Sequence, residues 1–223
     1  MIDPELQLRI IENKDWATAL FVASLLLIAA TKSVFENRFS DFTKLIYSDK
    51  YMKLYRDNSH LMSGFTIALF VVQIMALAFF VQLFFNSYGL ASKSDWMIFV
   101  QIFTCITYFI LSKFLLDKII AAAFNIEDFV DQFNLKKVTY RSYIALCILP
   151  IDFILFYFDA FPKNIFVVIL SIVLIINTLT YLLAIKNYQN AIMSKLFYFI
   201  LYLCALEIAP YYFMYYWFTK GSA

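Results

Sequence analysis

The chain has 223 residues, of which 63% are hydrophobic, 20% aromatic and only 15% charged, whereas soluble domains hold roughly 45–50% apolar residues; a water-soluble fold with this composition would aggregate. The net charge of +2, with Arg9, Arg38, Arg56 and Arg141 scattered along the chain, excludes the basic stripe that grips nucleic acid. Cys105, Cys147 and Cys204 each lie inside an apolar segment, without the pairing of a disulfide framework or the spacing of a zinc site, and read as small buried hydrophobes.

Residues 1–15 form a segment outside the membrane that carries four acids against two bases. That balance is the reverse of a basic secretory leader, so the first apolar stretch is expected to be retained. A membrane span needs about 20 mostly apolar residues, because the hydrocarbon layer is roughly 30 Å thick and a helix rises ~1.5 Å per residue. Six stretches meet that requirement: 16–35, 61–87, 96–116, 142–159, 164–185 and 196–218. The expected architecture is therefore an all-α integral membrane protein, with six transmembrane helices in three hairpins filling 16–218. Outer turns fall at 87–95 and 159–163, and the tail 219–223 ends in Gly221, Ser222 and Ala223, which read as a vector-derived linker.

The cytoplasmic connectors are expected to be amphipathic. In 36–60, Phe39, Phe42 and Ile46 share one helical face while Asp41, Lys44 and Lys50 fall elsewhere, the pattern of a helix lying in the membrane plane. The second connector spaces Ile119, Ala123, Ile126, Val130 and Phe133 by three or four residues, flanked by Glu127, Asp128 and Asp131, and reads as a cytoplasmic extension of the third span. Each stripe either rests on lipid and the bundle or offers a face to a partner.

Orientation follows from the excess of Lys and Arg in cytoplasmic loops. Thirteen of the eighteen follow the first, third or fifth span, from Lys32 to Lys195, leaving Arg9, Lys14, Lys93, Lys163 and Lys220 opposite. Both termini are thus expected on the periplasmic side. Trp16, Trp96 and Trp217, with Tyr211, Tyr212, Tyr215 and Tyr216, sit at helix ends on that same side as an aromatic belt.

Intramembrane charge is the strongest functional signal, since insertion of an Asp at the bilayer centre costs about 2.5–3.5 kcal/mol. Asp152 and Glu207 lie near the middle of the fourth and sixth spans, with Pro150 and Pro210 close by. Each proline removes a backbone donor, freeing the carbonyls of Leu146 and Leu206 and favouring a kink beside each acid. At least one of the two acids is expected to be neutral at physiological pH. They read either as proton-responsive or partner-binding carboxyls, or as structural ones satisfied by hydroxyls and amides such as Asn177, Thr178 and Thr180, Gln101, Thr104 and Thr107, or Gln73 and Gln82. Lys113 and Asp117, at i and i+4, are expected to form a snorkelling pair.

His60 stands without a second ligand, and no Gly-rich phosphate loop or nucleophile triad can be assembled. No catalytic residue, metal ligand or cofactor site is expected. The basic first connector, with Lys50, Lys53 and Arg56, is the nearest approach to a lipid-phosphate site and is also explained by attraction to anionic lipid. Only Gly64 lies within a span, which disfavours broken-helix transport folds and GxxxG packing and leaves Ala17 and Ser63 as small contact residues.

The segment LYLCALEIAPY at 201–211 resembles the signature of an uncharacterised inner-membrane family of Bacteroidota, domain of unknown function 4271. Trp16, the Phe124 and Asn125 stretch, and the Leu149 and Pro150 pair are similar to it as well. The resemblance implies a Gram-negative inner membrane whose envelope carries type 9 secretion, gliding and glycan-export machines. The expected function is a non-catalytic subunit that contacts membrane lipid and other membrane-protein subunits, scaffolding or regulating a cell-envelope complex. Glu207 and the kinked sixth span are its expected switching element. The alternatives are a small proton-linked transporter or channel using Asp152 and Glu207, and an accessory to polyprenyl-linked glycan handling.

Overall fold

The computed structural model describes residues 14–46, 51, 54–55, 63–123, 127–158, 162–187 and 216. Helices α1 (Asp15–Val34) and α2 (Glu36–Thr43), the latter followed by a 3₁₀ turn at Lys44–Ile46, lead to α3 (Gly64–Ser87), α4 (Trp96–Ala123), α5 (Glu127–Tyr157) and α6 (Lys163–Asn187). No strand occurs among the described residues. Four helical segments, Asp15–Val34, Gly64–Ser87, Trp96–Ala123 and Val130–Tyr157, are long and apolar enough to cross a membrane, and Asn164–Thr180 is a shorter apolar helix. Apolar side chains lie on all sides of these helices, as expected where both protein and lipid are apolar neighbours.

Central α3 packs against α1, α4, α5 and α6. Ser63 caps its start, its Oγ accepting the Thr66 backbone N–H at 3.4 Å. Gly89, at φ +73°, ends it: the Gly89 and Leu90 N–H groups reach back to the Asn86 and Phe85 carbonyls, both at 3.0 Å, in a left-handed turn that glycine adopts without strain. Buried Gln82 secures this turn, its amide donating to the Asp95 carbonyl at 2.9 Å.

Two of the expected boundaries shift. Helix α4 continues two turns past the apolar stretch, and α5 begins about four turns before its own. Among the described residues the second connector is therefore helical, shared between both spans. Val130 and Phe133 are fully buried, while Ile119 and Ala123 of the same stripe are exposed, so the α5 part of the stripe packs into the bundle and the α4 part faces outward. Asp131 is itself buried, while Glu127 is exposed.

The core is layered along the helices. At the tryptophan end, Phe21 and Phe79 stack at 4.2 Å, Phe79 meets Phe99 at 4.6 Å, and Trp16 meets Trp96 edge-on at 5.2 Å. Ala17, Ala76 and Ala78 are completely buried and let the backbones approach closely, the role small residues take where lipid tails are as apolar as the core. Val72, Ala76, Ala145 and Leu149 fill the middle. Phe42, Leu45, Tyr51, Phe65 and Leu69 close the opposite end, so α2 folds onto the bundle by its Phe42 face.

Cys105 and Cys147 are exposed, which corrects the expectation that they are buried. A thiol is apolar enough to sit on an outward face when that face meets hydrocarbon. Cys204 lies outside the described residues.

Candidate functional site

Helix α5 carries Leu149, Asp152, Leu155 and Phe156 on its inward face while Pro150 lies outward and exposed, and the helix continues unbroken through that proline. Asp152 therefore lies between the middle and tryptophan-end layers of the core. It is completely buried, and neither carboxyl oxygen has a hydrogen-bond partner among the described residues. Such a group is costly unless protonated or supplied with a partner.

Several of the amides and hydroxyls offered by the sequence as partners bond elsewhere. Gln73 accepts from Ser142 at 3.1 Å, joining α3 to α5. Thr107, Asn177, Thr178 and Thr180 donate to backbone carbonyls of their own helices. Glu207, Pro210, Lys50, Lys53, Arg56 and His60 lie outside the described residues.

A second polar feature lies toward the other end of the bundle, where α3, α4 and α5 diverge around a cavity of about 300 Å³. Helical spacing of three and four sets Ile110, Leu111, Lys113, Phe114 and Asp117 of α4 facing Asn134, Lys137, Val138 and Arg141 of α5, with Thr66, Ile67 and Phe70 of α3 completing the wall. Asp117 accepts an ion pair from Lys137 at 3.7 Å across the two helices. Lys113 is also buried on this inward side rather than snorkelling outward. Asn134 is buried with its amide nitrogen unsatisfied among the described residues.

A family model described as a domain of unknown function (DUF4271) matches residues 17–218. The chain belongs to this family. The match agrees with the resemblance at 201–211 and spans every helix that holds Asp152 and the cavity. Neither a curated protein nor a solved structure matches the chain, so the reading of its site rests on its own residues.

Beside the cavity, Arg38 of α2 is a buried cation that the sequence groups only with the basic connector. Its guanidinium donates to Ser63 Oγ at 2.6 Å, Thr66 Oγ1 at 3.2 Å and the Tyr51 hydroxyl at 3.3 Å. It also lies 4.6 Å from the Phe65 ring centroid and 5.0 Å from that of Tyr55, favourable cation–π distances. Burial pushes the Tyr51 hydroxyl pKa up, against the opposing pull of the Arg38 charge. Neither Arg38 nor the cavity residues Asn134 and Arg141 has a sequence signature, because partners far apart along the chain make the site. The one available signal was a cation or amide at the inward register of an apolar helix.

Proposed function

We propose that this protein is a non-catalytic, multi-pass inner-membrane subunit that scaffolds or regulates a larger envelope complex, of the type 9 secretion or gliding kind, with Asp152 as its switching element. Six spans in three hairpins with both termini periplasmic are part of this reading. The four apolar helices support it, as do the further apolar stretches 164–185 and 196–218 and the bias of basic residues to one side. The carrying observation is Asp152, a completely buried carboxyl with both oxygens unpartnered among the described residues. The cavity between α3, α4 and α5 does not include it in its wall. A sealed carboxyl suits a packing switch: neutral, it fits the apolar core, and on ionising it drives the surrounding helices toward an arrangement that supplies a partner.

Affinity purification of the natively expressed, tagged protein in mild detergent tests this. A stoichiometric membrane partner is expected, with a recovery that depends on pH in the wild type and loses that dependence in Asp152→Asn, whose amide cannot ionise. Isolation as a lone monomer or homo-oligomer sinks the reading. The same carboxyl favours a second one, a proton-linked transporter in which Asp152 works with Glu207. In proteoliposomes holding a pH-sensitive dye, this alternative requires proton flux that Asp152→Asn abolishes.

A further inference from the structure

We propose that the cavity between α3, α4 and α5 is a binding site for an anionic glycerophospholipid, with the phosphate held by Arg141, Asn134 and Lys113 and the start of an acyl chain against Leu111, Phe114 and Val138. Three cationic side chains, Lys113, Lys137 and Arg141, line the cavity against one carboxylate, Asp117, so its wall carries a net positive charge. Among the described residues Arg141 makes no hydrogen bond or ion pair, and the buried Asn134 amide nitrogen has no acceptor. A phosphodiester answers both, since its two non-bridging oxygens suit the guanidinium fork and accept further N–H donors.

The rest of the wall points to a lipid rather than a free anion. It is chiefly apolar, and Ile67 and Leu111 at its margin are 52% and 45% exposed, so the cavity is continuous with the lipid-facing flanks of α3 and α4. Its volume of about 300 Å³ suits a phosphate, its glycerol and the first carbons of a chain, the remainder lying along the helices. The cations stand in the half of the bundle away from the tryptophans, where a lipid headgroup meets the ends of α4 and α5. This site is separate from Asp152 and does not depend on the switching role given to that residue.

The test uses full-length protein purified in zwitterionic detergent, with binding read by native mass spectrometry and by thermal stability. Phosphatidylglycerol is expected to be retained at one molecule per chain and to raise the unfolding temperature, while phosphatidylcholine and inorganic phosphate do neither. Arg141→Gln should weaken phosphatidylglycerol binding about tenfold or more, the loss of one charge-assisted contact. Val138→Phe keeps every charge but fills the apolar part, and should abolish retention; circular dichroism and monodisperse elution establish that each variant is folded. Equal binding of phosphatidylcholine overturns the proposal, as does equal protection by inorganic phosphate, which makes the site one for a soluble anion. Wild-type binding by folded Val138→Phe also overturns it, whether or not Arg141→Gln folds.

Discussion

Arg38 draws together three segments that are distant in sequence. From α2 it reaches Tyr51 in the connector and Ser63 and Thr66 at the start of α3, so a single cation fixes where the short amphipathic helix lies. Hydrogen bonds to a charged group contribute about 1.5–3 kcal/mol each at best and less when summed. Arg38→Gln is expected to destabilise the fold by about 2–4 kcal/mol, read as a lowered unfolding temperature. Arg38→Lys should recover little of this, since an ammonium cannot reproduce a planar fork stacked among rings. Tyr51 adds a pH dependence. Its hydroxyl pKa is raised in the fold by burial, so the folded state holds this proton more tightly than the unfolded chain does. The resulting stabilisation is complete below the ordinary tyrosine value of about 10 and disappears as pH rises from there through the folded value. Alkaline unfolding followed by tryptophan fluorescence should therefore soften above about pH 10, and Tyr51→Phe should flatten that part of the profile.

Among the helices, α3 is the one whose loss of packing matters most. Phe79 is fully buried and touches Phe21, Phe99, Phe156 and Trp16, joining four helices through one ring. Phe79→Ala should cost about 3–5 kcal/mol, the range for an emptied aromatic site, measurable by thermal unfolding in detergent. Gln73, by contrast, makes one interhelical hydrogen bond to Ser142; Gln73→Leu should change stability by only about 0.6 kcal/mol. The existence of α1, α3 and α4 is legible in their apolar runs, and their starts agree closely with the sequence reading. The inner ends of α4 and α5 are not legible in hydropathy, because residues such as Asp117, Lys118 and Lys136 look like loop once they are no longer expected to lie in the membrane. They remain helical because Ala121, Val130, Phe133 and Leu135 find buried positions in the bundle. The stripe at 119–133 carried part of that information, since it kept the helical period after the apolar run had ended.

For the molecule as a whole, the outward faces give a direct test of the membrane assignment. Cys105 and Cys147 are exposed on α4 and α5, and if those faces meet hydrocarbon both thiols should be shielded from water. With Cys204 replaced by Ser, an apolar maleimide is expected to label intact membranes at least several-fold faster than a charged one, and the difference should vanish after denaturation. The sequence by itself determined that the chain is helical with runs long and apolar enough to cross a membrane, because composition and run length answer to one physical demand: in hydrocarbon every backbone polar group must be bonded within its own helix. It also marked Asp152 as a carboxyl placed within an apolar run. Only the tertiary structure decided that Asp152 faces the core and Pro150 does not, that Asp117 pairs with Lys137 rather than serving Lys113 alone, and that Arg38, Asn134 and Arg141 are brought beside α3. Helical period assigns residues to faces, but inside a membrane both the core and the lipid are apolar, so hydropathy cannot tell one face from the other. That choice is made by shape and polar pairing between helices, which exist only once the bundle has packed.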